Sequence, residues 1–200
     1  GIIIPLLPFY AETYGASPQK VTMLMVIFSF CQFIAAPMWG YLSDKYGRRL
    51  IIWITLIGSI FAYILLAHTQ TLYGLFFARA FAGFMAGNIS TAQAYLTDIT
   101  NKNNRAKAMG LFGAAFGLGF ILGPAIGGIL AGSDPKNPNV FLPPITAASL
   151  SFIALILAIF TLKDTRSVNN INKNQRIESL IEALKIPNLR QLILLSFVVT

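Results

Sequence analysis

The sequence predicts an all-α protein that crosses a lipid bilayer several times. Hydrophobic residues make up 56% of the 200-residue chain and charged residues 11%, whereas ordinary soluble domains contain roughly 25% charged residues. The apolar residues also form long runs that short polar connections separate. Composition and grouping together exclude an ordinary soluble domain and make each apolar run a candidate membrane span.

Six apolar segments precede a seventh that begins near Gln191. The first is short, and the other five have about the 17–25 residues that a helix needs to cross the hydrocarbon core. The six segments cover residues 1–9, 21–41, 50–67, 72–96, 108–131 and 140–162. Without an initiator Met and with so short a first segment, the chain is expected to be a fragment. The alternative is a complete protein whose first segment is re-entrant.

The order of these segments predicts three regions. We expect a membrane bundle over residues 1–162, a cytoplasmic linker over 163–190 and the start of a second bundle over 191–200. Within the linker, apolar residues recur at helical spacing between charged ones, at Ile177, Leu180, Ile181 and Leu184. This pattern favours an amphipathic helix on the membrane surface, and a disordered loop is the alternative.

The basic residues alternate between the connections and so indicate the orientation. Even-numbered connections contain twelve Lys and Arg residues, whereas odd-numbered ones contain only Lys20 and Lys136. Cytoplasmic loops carry the basic excess, so we expect the even connections to face the cytoplasm. The net charge of +8 therefore reflects the membrane topology. We expect the basic loops to bind anionic lipid and not nucleic acid.

Enzyme motifs are absent from the sequence. It contains no paired carboxylates, no Ser-His or Cys-His combination and no Gly-x-x-x-x-Gly-Lys phosphate loop. The lone Cys31 excludes a disulfide framework, and His68 has no second ligand nearby in sequence. We therefore expect neither a metal site nor a cofactor, and an ion gradient as the source of energy.

Arg79 is the most costly side chain in the chain if it faces lipid. It lies seven residues into the fourth segment, at a depth of about 10 Å, where Arg costs up to about 2.5–3.5 kcal/mol on insertion scales. Small residues follow it at helical spacing, at Ala82, Gly83, Ala86, Gly87 and Ser90. Such a stripe allows another helix to approach closely, which predicts that Arg79 points into protein. The alternative is that it snorkels to the surface.

Several polar side chains within the spans are candidates for a solute path. They are Gln32, Asn88, Thr91 and Gln93. Their hydrogen-bonding groups would be unsatisfied against lipid. They are therefore expected either to line a path or to bond neighbouring helices.

The fifth segment is rich in glycine. Gly119, Gly123 and Gly127 recur at four-residue steps, with Pro124 among them and Gly128 next to the last. Each Gly destabilises a helix by about 1 kcal/mol relative to Ala. Tight packing, or a bend at Pro124, is expected to offset this cost; a plain helix-pairing face is the alternative.

A charged connection lies between the second and third segments. It reads Gly40-x-Leu-x-Asp44-x-x-Gly47-Arg48-Arg49, and its shortness predicts a tight turn at a membrane surface. This pattern resembles the loop signature of the major facilitator superfamily. Arg79-x-x-x-Gly83-x-x-x-Gly87 is similar to the fourth-helix motif of that superfamily. Gly119-x-x-x-Gly123-Pro124-x-x-Gly127-Gly128 resembles the fifth-helix motif of its drug:proton antiporters.

Other stretches look most like the tetracycline-efflux group. These are residues 94–100 with Arg105, and Pro5-x-x-Pro8. The resemblance implies an N-terminal six-helix bundle of 3+3 inverted repeats that alternates access with a second bundle of the same protein. It implies proton-coupled export of an amphipathic organic compound. A metabolite or sugar carrier and a non-transporting receptor are the alternatives.

The resemblance also assigns roles to residues. Asp44 would dock against the second bundle, and Arg48 and Asp98 would form a charge relay to which the neighbouring motif residues Gly40, Gly47, Arg49 and Arg105 belong. Arg79 with Gly83 would serve proton coupling, and the Gly123-Pro124 helix would keep the exporter from leaking. Tetracycline exporters carry an acidic residue in the first helix upstream of the part that matches residues 1–8, so this sequence does not name the proton-carrying group.

Overall fold

In a computed structural model, the described residues 1–132, 134 and 138–163 form helices and no strands. A 3₁₀ turn at Ile4–Leu6 leads into a short first helix. The α-helices are α1 (Leu7–Thr13), α2 (Pro18–Tyr46), α3 (Arg48–His68), α4 (Leu72–Ala86), α5 (Ile89–Ile99), α6 (Arg105–Ala131) and α7 (Leu142–Thr161). The all-α prediction is therefore confirmed.

Five helical stretches are long and apolar enough to cross a membrane. They are α2, α3, the α4–α5 pair taken together over Leu72–Ile99, α6 and α7. They correspond to the second to sixth apolar segments, with ends that differ by a few residues. The predicted amphipathic linker helix and the start of a second bundle lie outside the described residues.

The fourth span is broken, whereas the sequence predicted one continuous segment. Its first half ends at Ala86 and its second half begins at Ile89. Side chains of α2 take the carbonyl groups next to the break, as a discontinuous helix requires. Trp39 Nε1 donates to the Phe84 carbonyl at 2.7 Å, and Gln32 Nε2 donates to the Ala86 carbonyl at 3.4 Å.

Small residues allow α2 and α4 to pack at close range. A Cβ atom on Gly83 would collide with the backbone of Phe28, and one on Gly87 would lie 2.9 Å from the Cβ of Ala35. Ala35 itself is fully buried. Close approach of backbones through small residues is a common basis of helix association in membranes, so the small-residue stripe after Arg79 is a packing face.

The two ends of the bundle collect different connections. At one end, the start of α3 contacts the end of α5 through Arg48 and Asp98. At the other end, the Tyr14 hydroxyl donates to the Thr69 carbonyl at 2.8 Å, and burial raises the pKa of Tyr14. The Tyr10 hydroxyl donates there to the Asn139 carbonyl. Odd-numbered connections therefore meet at one end and even-numbered ones at the other, which is the arrangement that the alternating basic residues predict.

Large apolar side chains cover much of the outside of the bundle. Phe33, Ile129 and Phe160 are about four-fifths exposed, at 79%, 81% and 84%. In water such a surface would be costly, but in a bilayer it contacts lipid chains. The exterior therefore agrees with a membrane-embedded protein.

Candidate functional site

The first candidate cluster surrounds Arg48, at the turn between α2 and α3. Gly47 has a φ of 100°, a left-handed conformation that glycine adopts without strain, and it lets α3 begin immediately after α2 ends. Arg48 Nη1 contacts Asp44 Oδ1 at 2.6 Å and donates to Ser43 Oγ at 2.7 Å. Arg48 Nε contacts Asp98 Oδ2 at 3.1 Å.

The Arg48 guanidinium thus bridges carboxylates from two spans. Its side chain is 12% exposed, and those of Asp44 and Asp98 are 25% and 34% exposed. Water therefore screens the cluster in part, and each pair is worth only about 1 kcal/mol or less. Such pairs form and break at low cost.

Three other residues predicted to belong to the gate, Arg49, Arg105 and Gly40, lie outside this cluster of ion pairs. Arg49 Nη2 donates to the Ile159 carbonyl at 3.1 Å, and its guanidinium carbon lies 4.3 Å from the centroid of the Trp53 ring. Arg105 Nη2 donates to the Thr97 carbonyl at 3.4 Å. A Cβ atom on Gly40 would meet no described atom within 4 Å, so this glycine presents an open surface.

The second candidate cluster surrounds Arg79, inside the spans. Arg79 is 5% exposed, so it does not snorkel to the surface. Its guanidinium carbon lies 4.4 Å from the centroid of the Phe28 ring, and its Nε has no hydrogen-bond partner among the described residues. Within the same residues, the ion pairs of Asp44 and Asp98 both go to Arg48, and no carboxylate is paired with Arg79.

A cavity of about 330 Å³ adjoins this guanidinium. Its walls come from the first segment, α2, α3, α4, α6 and α7, and they include Phe28, Tyr63, Arg79, Gly119, Gly123 and Ser151. Aromatic rings and a few polar groups line the space, as in sites for small organic molecules. Arg79 is the only charged side chain of the lining, and the backbone of Gly1 forms part of the wall.

The glycines of α6 divide into two sets. Cβ atoms on Gly123 and Gly127 would lie 2.7 Å from Gly1 Cα and 2.5 Å from the Ile2 carbonyl oxygen, so these two glycines are needed for the first segment to pack on α6. Cβ atoms on Gly119 and Gly128 would meet no described atom within 4 Å. The helix is continuous through Pro124. Tight packing thus explains two glycines of the motif, and the others face open space.

The four polar candidates for a solute path occupy different environments. Gln32 bonds the broken fourth span, and Asn88 Nδ2 donates to Thr55 Oγ1 at 2.6 Å. These two therefore bond neighbouring helices, as the alternative interpretation expected. Thr91 is fully buried with no partner for its Oγ among the described residues, and Gln93 is exposed.

The family follows from the sequence comparison together with this fold. The sequence pattern of the Major Facilitator Superfamily matches residues 1–200. The chain belongs to the major facilitator superfamily. The resemblance that the Gly40–Arg49 turn, Arg79 and the α6 glycines indicated is therefore confirmed, and this superfamily consists of membrane transporters.

Curated relatives include resistance proteins from several bacteria. The chain is 31% identical over 182 residues to the tetracycline resistance protein, class H, of Pasteurella multocida, covering 90% of this chain and 44% of that protein. It is 30% identical over 196 residues to multidrug resistance protein 2 of Bacillus subtilis, covering 92% and 46%. It is 32% identical over 167 residues to quinolone resistance protein NorA of Staphylococcus aureus, covering 83% and 42%. The chain thus spans less than half the length of these relatives.

Sequence reasoning missed several residues that the structure brings into these clusters. Ser43 is buried under Arg48, and Trp39 caps the broken fourth span. Only the break left a sequence signal, the Gly87-Asn88 dipeptide, because Gly and Asn favour helix ends and turns. The other contacts depend on which helices lie side by side.

Proposed function

We propose that the chain forms the N-terminal bundle of a proton-coupled secondary transporter. The transporter exports an amphipathic organic compound by alternating access with a second bundle. The observation that carries this proposal is Arg79, a cation that is only 5% exposed inside the spans and lies over the ring of Phe28. The names of the relatives, which concern resistance to tetracycline, quinolones and multiple drugs, support export.

Proton coupling follows from the electrostatics of this cavity. A fixed positive charge in a poorly solvated site favours the ionised form of any carboxyl group placed beside it. A carboxyl that approaches Arg79 therefore releases its proton, and one that leaves recovers it. Arg79 is thus the group through which proton binding and solute binding exclude one another, and Gly83 sets the distance between its helix and Phe28.

The lining of the cavity supports an amphipathic solute. Phe28 and Tyr63 offer aromatic surface next to the single guanidinium. Rings of this kind bind flat apolar molecules, and the guanidinium orients a polar or anionic end. Thr91 and Gln93 remain candidates for the path of the solute, since neither side chain donates a hydrogen bond to another described helix.

The Arg48 cluster acts as a gate at the end of the bundle where the even-numbered connections meet. Asp44 and the open surface of Gly40 receive the second bundle when the carrier faces outward. The Arg48–Asp98 pair then holds α3 and α5 together beneath them, and Arg105 fixes the end of α5. The open side of Gly128 leaves α6 a smooth surface for the second bundle, whereas Gly119 lies on the Gly123 face and lines the cavity.

The sidedness of the protein follows from its charges. Lys45, Arg48, Arg49, Arg105 and Lys163 belong to connections at the same end as the gate. By the positive-inside rule this end faces the cytoplasm, in the inner membrane of a bacterium. The protein needs no cofactor in this scheme, because the proton gradient supplies the energy.

Inside-out membrane vesicles that contain the intact transporter test the proposal. The vesicles are energised so that their interior is acidic, and a pH-sensitive dye reports the gradient. Addition of a weakly basic drug is expected to dissipate part of the gradient in proportion to drug uptake. Vesicles without the transporter are the control. A gradient that no drug affects, with no drug uptake, would overturn the proposal.

A further inference from the structure

The last turn of α7 is held by side chains of two other helices. A helix leaves its final four carbonyl groups without intrahelical partners. Arg49, at the start of α3, donates to the Ile159 carbonyl in this turn at 3.1 Å. Just beyond the helix, the backbone N–H of Lys163 donates to the Tyr95 hydroxyl of α5 at 3.0 Å. The Ile159 carbonyl and the Lys163 N–H, which lie before and after the end of α7, are thus both hydrogen-bonded to other helices.

Contacts within α3 itself already orient Arg49 toward the end of α7. Its guanidinium stacks on Trp53, one helical turn further along α3, and its Nε is buried with no partner among the residues that the structure describes. Stacking of this kind limits the rotamers of a long side chain. A cation beside the C-terminal carbonyls of a helix is also favoured by the helix dipole. The geometry therefore commits Arg49 to the end of α7.

Tyr95 supplies the second anchor from a shielded position. The residue is 7% exposed, so water has little access to compete for its hydroxyl group. The backbone N–H from which the Tyr95 hydroxyl accepts its hydrogen bond belongs to Lys163, the first residue after the C-cap of α7. An anchor at this point holds the C-terminal end of α7 against α5.

Both anchors adjoin the Arg48–Asp98 pair. Arg48 and Arg49 are consecutive residues, and Tyr95 and Asp98 lie three residues apart on α5, on the same side of the helix. The start of α3 therefore contacts α5 through Arg48 and α7 through Arg49, while the end of α5 contacts both of the others. The three helix ends form a closed triangle of polar contacts.

We propose that Arg49 and Tyr95 are positioning residues that join the end of α7 to the gate. They hold the point where the chain leaves α7 in register with the Arg48–Asp98 pair. Opening of that pair then releases the end of α7. The consequence for transport depends on the proposed function, but the coupling between the three helix ends does not.

Spin-label mobility at the end of α7 tests this coupling. The intact transporter carries Cys31→Ser and a nitroxide at Lys163→Cys, and is reconstituted in proteoliposomes. Tyr95→Phe and Arg49→Gln are each expected to narrow the central line of the spectrum, because an anchor is lost. Asp98→Asn is expected to narrow it as well, through the triangle. Arg49→Lys, which retains a cationic donor, should keep most of the wild-type line width.

Matched controls distinguish this effect from a general loosening of the bundle. Tyr41→Phe removes the hydroxyl of a tyrosine that is 56% exposed, and Lys107→Gln removes an exposed charge. Neither change should alter the spectrum. In transport assays Tyr95→Phe should lower Vmax and leave KM unchanged, because Tyr95 does not line the cavity.

The outcomes separate this inference from the proposed function. An unchanged spectrum in both Tyr95→Phe and Arg49→Gln would overturn the role of the anchors. Narrowing in those two variants without any change in Asp98→Asn would overturn the coupling to the gate. The spectra require no transport activity, so a protein that shows the expected pattern but exchanges no drug for protons would refute only the proposed function.

Discussion

Arg48 Nε lies 3.1 Å from Asp98 Oδ2, and this contact joins two helix ends that are 50 residues apart in sequence. The same guanidinium contacts Asp44 through Nη1. One side chain therefore connects the end of α2, the start of α3 and the end of α5. Because the cluster is partly exposed, its importance lies in positioning these ends rather than in the stability of the fold.

Asp98→Asn should separate stability from transport. Loss of a partly screened ion pair is expected to change the free energy of unfolding by about 1 kcal/mol or less, so the melting temperature in detergent should hardly move. Transport should fall strongly, because the gate no longer closes in register. A double exchange, Arg48→Asp with Asp98→Arg, should recover part of the activity. Full activity in Asp98→Asn would contradict a gating role.

Gly83→Ala should destabilise the bundle. The added methyl group would collide with the Phe28 backbone, and overpacking of this kind costs about 1–3 kcal/mol. Gly110→Ala is the matched control, since its Cβ would meet no described atom and Ala favours the helix by about 1 kcal/mol. Thermal unfolding in detergent should show a lower midpoint for the first variant only. Equal midpoints would mean that α2 and α4 are further apart than described.

Trp39→Phe should weaken the cap of the broken fourth span. The variant keeps an aromatic ring next to Phe84 but loses the 2.7 Å hydrogen bond to its carbonyl, at a cost of about 1 kcal/mol. Trp53→Phe is the control, because the Trp53 Nε1 has no partner among the described residues. Faster amide exchange around residues 87–90 is expected in Trp39→Phe, and similar exchange in both variants would argue against the cap.

Hydropathy and charge were sufficient to predict the spans. The third segment, predicted over residues 50–67, is observed at Arg48–His68, since a helix that crosses lipid must satisfy its backbone and cover a fixed thickness. The break after Ala86 was not predicted, because Gly83 and Gly87 serve equally well as packing residues of a continuous helix. What distinguishes the two cases is the donor groups of Trp39 and Gln32, which belong to another helix.

The surroundings of Arg79 were predicted only in part, again because some contacts depend on other helices. The inward orientation of Arg79 followed from the cost of a cation in lipid and the small residues beside it. The sequence did not indicate that Phe28 would lie over the guanidinium, and it left open whether Gln32 and Asn88 line a path or bond other helices. Such pairings depend on the rotation of each helix about its axis, and periodicity alone does not specify it.

Arg79→Gln should abolish coupling without unfolding the protein. The guanidinium is only 5% exposed, so removing its charge relieves a desolvation cost. The melting temperature is expected to stay the same or to rise. Drug-dependent proton movement should be lost. Lys107→Gln, an exposed charge change, should leave both quantities as in the wild type.

Drug–proton exchange by the purified, intact transporter in proteoliposomes tests the central claim most directly. With a proton gradient imposed across the membrane, we expect accumulation of drug and a matching flow of protons in the opposite direction, both absent in Arg79→Gln. Drug accumulation that persists without a proton gradient, or exchange that Arg79→Gln leaves intact, would contradict the claim that this buried arginine couples export to protons.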